Sequence, residues 1–190
     1  IEAGATEFGQ NYVQEAENMY QELGEYKDKV KWHLIGSLQK NKINKILPVV
    51  QTIQTVDSIK IAENIDKRAE NIGKILEVYI EINSGEEENK SGVMPAYESV
   101  YELALKISKL KNLKLKGIMT MGEITDDKEI IRECFRKTKN IFDKLKTENI
   151  ANTNISVLSM GMTDSYKIAI EEGSNMIRVG SQIFGIREYK

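Results

Sequence analysis

The sequence contains one cysteine and one histidine, and each scarcity excludes a class of site. Cys134 has no partner for a disulfide within the chain, and Cys134 with His33 cannot supply the four ligands of a structural zinc ion. No apolar run approaches the ~20 residues that a membrane-spanning helix requires, and no charged-then-apolar leader opens the chain. We therefore expect a cytoplasmic protein with no metal site and no membrane insertion.

Strong charge of either sign is also absent. The net charge is -2 and the pI is about 5.7, so the chain lacks the basic field that non-specific nucleic-acid binding needs. Hydrophobic residues make up 41% and charged residues 29% of the 190 residues, which is ordinary for a folded protein. We expect one domain over residues 1–190, with no nucleic-acid partner.

Extended and helical patterns alternate along the chain. Leu76–Ile82, for example, alternates apolar with polar side chains, whereas Ile131, Phe135, Phe142 and Leu145 recur at helical spacing. The predicted strands are Thr6–Phe8, Val30–Ile35, Thr52–Val56, Leu76–Ile82, Leu113–Met121, Ile155–Met160 and Met176–Val179. Every strand but the last is followed by a helix, which predicts an α/β fold with a parallel sheet. A (β/α)8 barrel averages about 250 residues, so we expect the first βα unit to precede Ile1.

Two glycine-containing loops follow the last two predicted strands, where such barrels commonly bind phosphate. Ser159 and Gly161 lie in the first loop, and Gly180 and Ser181 lie in the second. Backbone amides at glycines and helix starts can point at an anion, so these four residues form a predicted phosphate clamp. Alternatively, the glycines only permit turns, and Thr163 caps the next helix.

Three further polar residues have two interpretations each. Arg178 interrupts a strand that should be buried, so its guanidinium needs either a carboxylate partner such as Glu81 or a ligand atom. His33 is either a hydrogen-bonded core residue or a ligand contact. Asn11 lies between a strand and a helix, where it either contacts a ligand or forms a capping box with Gln14.

Five blocks of sequence, in the same order, resemble the YggS/PROSC family of pyridoxal 5'-phosphate (PLP) homeostasis proteins. The blocks are Phe8–Glu15, Trp32–Lys42, Asn83 with Lys90–Gly92, Leu158–Met162 and Arg178–Arg187. The resemblance covers essentially the whole chain, and five ordered blocks are far more specific than one glycine motif. The departures are Gln10 in place of Glu, Leu34 in place of a bulkier aromatic residue, and Thr163 in place of Ser.

The resemblance implies a TIM (β/α)8 barrel of the alanine racemase N-terminal domain type, with the first βα unit largely missing. It implies that Ser159, Gly180 and Ser181 hold the cofactor phosphate, that Arg178 approaches the pyridine nitrogen, and that Asn11 lies near the ring. His33 and Met160 are weaker assignments from the same resemblance. The family's Schiff-base lysine lies on the first strand and no lysine here matches it, since Lys42 and Lys90 occupy a helix and a loop. Covalent attachment of PLP is therefore not expected in this chain.

An arginine at the pyridine nitrogen disfavours ring protonation, which makes the cofactor a poor electron sink. We therefore expect a non-enzymatic PLP binder that stores cofactor or delivers it to apo-forms of PLP enzymes. Three alternatives stay open at this point: a racemase-like PLP enzyme, a barrel enzyme that acts on another phosphorylated metabolite through His33 or Glu81, and a remnant that binds no ligand.

Overall fold

The computed structural model describes residues 1–185, and it contains one sheet of seven parallel strands arranged in chain order. The strands are β1 (Glu7–Gln10), β2 (Lys31–Leu34), β3 (Thr52–Val56), β4 (Leu76–Ile82), β5 (Leu113–Thr120), β6 (Thr153–Met162) and β7 (Met176–Arg178). The prediction of seven parallel strands is confirmed, and β3 and β4 have the predicted bounds. Ile186 and Arg187, the end of the last sequence block, lie outside the described residues.

A helix follows each strand, and every one of these helices except the last packs buried side chains against the outer face of the sheet. The helices are α1 (Val13–Glu22), α2 (Ile43–Ile46), α3 (Ile59–Asn71), α4 (Tyr97–Ile107), α5 (Lys128–Thr147), α6 (Tyr166–Glu171) and α7 (Ser181–Phe184). The sequence pattern did not predict α7, nor the 3-10 helices at Gly24–Lys29 and Lys40–Lys42. The sequence predicts a short helix from Leu38 to Leu47 that ends before Pro48, whereas the α-helix there spans only Ile43–Ile46.

Side chains alternate between the helical layer and the interior of the curved sheet. On the helical side, the fully buried Trp32 ring lies edge-on to Phe8 and Tyr20, with centroid distances of 5.7 and 5.6 Å. The indole Nε1 donates a hydrogen bond to the Lys27 carbonyl at 2.9 Å, which satisfies its one polar atom. The adjacent His33 points to the other face, into the barrel.

The sheet curves into a nearly closed barrel that has one seam. β1 pairs only with β2, and β7 pairs only with β6, within residues 1–185. The carboxyl ends of all seven strands meet at one rim because every strand is parallel. The structure therefore gathers the polar residues that follow β6 and β7 at one end of the barrel.

A helix cap and a group of ion pairs stabilise two of the helices beside this rim. Asp127 caps α5 by accepting hydrogen bonds from the backbone of Glu129 and Ile130, at 2.9 and 3.4 Å. Arg132 on α5 forms ion pairs of 2.6 Å with both Glu171 and Glu172 at the end of α6. These contacts fix α6 and, through it, the loop between β6 and α6.

Candidate functional site

Arg178 lies on β7 inside the barrel and makes three contacts there. Its Nη1 donates to the Ser159 hydroxyl at 2.6 Å, and its Nη2 donates to the Thr120 carbonyl at 2.8 Å and contacts the Met121 sulfur at 3.5 Å. Its Nε is buried and has no hydrogen-bond partner among the described residues. Burial lowers the pKa of Arg178 to about 10, and nearby Glu81 opposes this change, so the guanidinium stays charged at neutral pH.

The alternative in which Glu81 pairs directly with Arg178 is not supported. No ion pair within 4 Å joins Arg178 to a carboxylate in the part of the chain that the structure describes. Glu81 is buried on β4, and burial together with the charge of Asp57 raises its pKa to about 7, against the opposing effect of Arg178. The barrel therefore holds a guanidinium with one unused donor and a carboxyl group that binds a proton near neutrality.

Ser159 links Arg178 to the far side of the barrel interior. Its hydroxyl donates to the Gln54 Oε1 atom at 2.7 Å, and Gln54 Nε2 lies 3.0 Å from His33 Nδ1. Ser159, Gln54 and His33 are all buried. Burial and the charge of Lys31 lower the pKa of His33 to about 4, with Glu77 opposing, so the imidazole is neutral at neutral pH. His33 is thus a hydrogen-bonded interior residue, which is one of the two interpretations that the sequence left open.

Thr163, Gly180 and Ser181 form a second polar group at the rim, which we call the hydroxyl cluster. The Ser181 hydroxyl lies 3.1 Å from Thr163 Oγ1, and the Gly180 amide points at the same oxygen from 3.4 Å. Gly180 and Ser181 are exposed, and a Cβ atom added at Gly180 would meet no other atom within 4 Å. The cluster therefore faces open space, as an anion-binding surface must.

The structure separates the members of the predicted phosphate clamp into different contacts. The Ser159 hydroxyl is occupied by Arg178 and Gln54 inside the barrel, and it does not join Gly180 and Ser181. Gly161 has φ +93°, and a Cβ there would approach Ala169 Cβ to 2.5 Å, so this glycine allows α6 to pack closely on β6. Thr163 joins the cluster, although the sequence suggested it only as a helix cap. Ser165, not Thr163, is the N-cap residue of α6.

Met160 and Asn11 lie away from these contacts. Met160 is fully buried in the main hydrophobic cluster, so its weak assignment as a ligand contact gains no support from the structure. Asn11 is exposed just after β1, and its carbonyl sits so close to Gly36 that a Cβ there would approach it to 2.0 Å. The predicted capping box is wrong, because Tyr12 is the N-cap of α1 without a side-chain cap and Gln14 bonds Asn18 instead.

Sequence reasoning missed Gln54 and Thr120. Gln54 lies in a strand that is buried at every position, and a buried polar residue in such a strand is the signal that drew attention to Arg178. Thr120 contributes a backbone carbonyl, which leaves no mark in the sequence. Two surface depressions, of about 250 and 470 Å³, lie at the opposite, amino-terminal ends of the strands and share no residue with this site.

Comparison with known proteins assigns the family. The family described as "Alanine racemase, N-terminal domain" matches residues 1–188. The chain is 42% identical over 179 residues to a Helicobacter pylori protein and 38% identical over 188 residues to a Pasteurella multocida protein, both named "Pyridoxal phosphate homeostasis protein". These matches cover 93% and 99% of this chain and 76% and 79% of the relatives.

A solved structure is similar over nearly the same range. PipY of Synechococcus elongatus, in a structure described as having PLP bound, superposes with a TM-score of 0.83 at 28% identity. The superposition covers 97% of this chain and 84% of PipY. The fold is thus the TIM-type barrel of the alanine racemase N-terminal domain, as predicted. With its parallel barrel, its rim of hydroxyls and its interior arginine, the chain belongs to the family of pyridoxal phosphate homeostasis proteins.

Proposed function

We propose that this chain binds PLP at the carboxyl-terminal rim of the barrel and serves PLP homeostasis without catalysing a reaction of its own. The observation that carries the proposal is the buried Arg178 Nε, a charged donor without a partner among the described residues. A buried, unused donor of this kind is costly unless a ligand supplies an acceptor.

The pyridine nitrogen of PLP fits this donor. Since Arg178 keeps its proton at neutral pH, its Nε–H can donate only to an unprotonated ring nitrogen. Bound PLP supplies an electron sink for amino-acid chemistry, and an arginine at the ring nitrogen weakens that sink. The same arginine thereby favours binding and disfavours catalysis.

The hydroxyl cluster fits the phosphate of the same ligand. Thr163 and Ser181 offer hydroxyl donors, and Gly180 offers a backbone amide beside open space. Gly180 follows Arg178 by two residues, so the phosphate and the ring nitrogen would be held from one short segment of chain. Asn11 keeps its predicted place near the ring as part of this proposal.

The biological role rests on the relatives. Proteins named as pyridoxal phosphate homeostasis proteins align with this chain over most of its length at 34–42% identity. We propose that the chain stores PLP in the cytosol and releases it to apo-forms of PLP enzymes. The exposed position of Gly180 and Ser181, which leaves the phosphate end accessible to solvent, supports release.

Calorimetric titration with a ligand series tests the binding mode. We expect both PLP and pyridoxine 5'-phosphate, which lacks the aldehyde, to bind, because Arg178 and the hydroxyl cluster meet the ring nitrogen and the phosphate that the two ligands share. Thr163→Val and Ser181→Ala should each weaken both ligands about tenfold, since each removes one hydrogen bond to a charged group. Neither change should affect the affinity for pyridoxal, which has no phosphate.

Thr147→Val is the matched control, because its hydroxyl bonds the Lys144 carbonyl at the end of α5. Ribose 5-phosphate tests the alternative of another phosphorylated metabolite. Equal or tighter binding of ribose 5-phosphate would contradict the proposal.

A racemase-like activity is the second candidate, and Glu81 is the observation that favours it. This buried carboxyl, with its pKa of about 7, could hold or accept a proton beside a bound ligand. The PLP-loaded chain should nevertheless cause no deuterium exchange at the Cα of alanine, measured by proton NMR. Exchange that disappears in Glu81→Gln would establish the enzyme instead.

A further inference from the structure

Four side chains from four strands form a continuous hydrogen-bonded chain through the barrel interior, which we call the relay. It runs from Arg178 on β7 to Ser159 on β6, Gln54 on β3 and His33 on β2, with successive distances of 2.6, 2.7 and 3.0 Å. Gln54 is its centre, and the Gln54 Nε2 also contacts the Met176 sulfur at 3.3 Å. No sequence block of the family resemblance includes Gln54.

The guanidinium sets the direction of every bond in the relay. Arg178 can only donate, so the Ser159 oxygen accepts from it and the Ser159 hydrogen goes to Gln54 Oε1. The Gln54 amide then presents its NH2 to His33 Nδ1, which must be unprotonated. The His33 proton consequently sits on Nε2, a buried atom that lies 3.5 Å from the Glu7 carboxylate.

We propose that Gln54 is a positioning residue for the ligand: it orients the Ser159 hydroxyl as an acceptor for Arg178 and so holds the guanidinium with Nε directed at the ring nitrogen. The inference rests on the proposed function, and it adds a residue that touches neither ring nor phosphate. Without Gln54, the Ser159 hydroxyl hydrogen would lose its acceptor and rotate among several orientations, so the hydrogen bond from Arg178 to Ser159 would be less well ordered than the contacts with Thr120 and Met121.

Three variants of the full chain separate this role from simple packing. Gln54→Met retains side-chain volume and removes both relay bonds. Gln54→Glu retains an acceptor for Ser159 but can bond His33 Nδ1 only if that nitrogen carries a proton. Gln51→Met is the matched control, because Gln51 precedes the same strand and its side chain accepts a hydrogen bond from the Trp32 backbone amide, outside the relay.

Calorimetric titration with pyridoxine 5'-phosphate measures the first effect. We expect Gln54→Met and Ser159→Ala each to weaken binding about tenfold and the double variant to weaken it no further, since both break the same chain. Gln54→Glu and Gln51→Met should stay within about threefold of the unaltered protein.

Nitrogen-15 NMR of the imidazole measures the second effect, and His33 is the only histidine of the chain. The unaltered protein should give the shifts of a neutral ring protonated on Nε2. Gln54→Glu should give a ring protonated on both nitrogens at neutral pH, whereas Gln51→Met should change nothing. A ring that stays neutral in Gln54→Glu would show that the relay does not reach His33 and would overturn this part of the proposal.

Unchanged affinity in Gln54→Met, or losses that add in the double variant, would overturn the role of Gln54 and leave the proposed function intact. If Gln54→Met fails to fold, as judged by circular dichroism, Ser159→Ala decides the question through its affinity and the His33 tautomer. Absence of saturable binding by the unaltered chain would overturn the proposed function itself.

Discussion

Two buried residues of the barrel interior have pKa values that are shifted in opposite directions from their ordinary values. The pKa of His33 is lowered to about 4 by burial and by Lys31, and the pKa of Glu81 is raised to about 7 by burial and by Asp57. Glu7 and Glu77 also lie near His33, and Arg178 lies near Glu81. Both residues are therefore neutral in the folded protein near pH 5.5, which is the form that a buried side chain favours.

The two residues should have opposite effects on stability as pH changes. Between about pH 4 and 6.5, His33 is protonated in the unfolded chain but neutral in the folded protein, so stability rises with pH. Between about pH 4.5 and 7, the folded Glu81 retains the proton that the unfolded one releases, so stability falls with pH. The contributions nearly cancel where these ranges overlap.

Single variants should expose each contribution. Relative to the unaltered chain, Glu81→Gln should gain about 2 kcal/mol in free energy of unfolding from pH 4.5 to 6.5, and His33→Asn should lose about as much. Urea denaturation at the two pH values measures both changes. Parallel pH profiles for all three proteins would show that neither side chain is shifted as described.

At the scale of elements, the sequence predicted the bounds of β3 and β4 correctly because the burial of these two strands is nearly complete. β4 combines strict alternation with a boundary at Asn83, and its bounds were predicted correctly. The helix expected from Leu38 begins later than predicted, because residues 38 and 39 are not helical and Lys40–Lys42 form a 3-10 segment, whose short-range spacing resembles that of an α-helix. The site was predicted only in part, since the hydroxyl cluster depends on how two loops meet in space.

Gly161 and Gly180 look alike in sequence, yet they should respond differently to alanine. Gly161→Ala places a Cβ 2.5 Å from Ala169 Cβ at a φ of +93° and should cost about 1–3 kcal/mol of stability or more. Gly180→Ala meets open space, so stability should change by less than about 0.5 kcal/mol while the new methyl group weakens PLP binding. Thermal denaturation and calorimetric titration distinguish the two. Equal stability losses would contradict the packing role of Gly161.

At the scale of the molecule, the seam divides the barrel into a well-paired centre and two edges. β4 pairs with β5 over seven residue pairs, whereas β6 and β7 share only two. β1 and β7 each have one neighbouring strand within residues 1–185. Strand edges with unpaired backbone groups open more easily than central strands do.

Hydrogen exchange should follow this division. We expect backbone amides of β4 and β5 to exchange slowest and those of β1 and β7 to exchange fastest among the strands, measured by mass spectrometry of peptic peptides. Addition of pyridoxine 5'-phosphate should slow exchange in β7, which carries Arg178. Uniform exchange across all seven strands would mean that the barrel opens as one unit.

Trp32, the single tryptophan, is packed on β2 against Phe8 of the edge strand β1. Its fluorescence therefore reports on the environment beside the seam and hardly at all on the centre of the sheet. If β1 detaches first on heating, the emission maximum will move to longer wavelength while circular dichroism still reports a folded barrel. A difference between the unfolding temperatures measured by fluorescence and by circular dichroism would show how independently β1 unfolds.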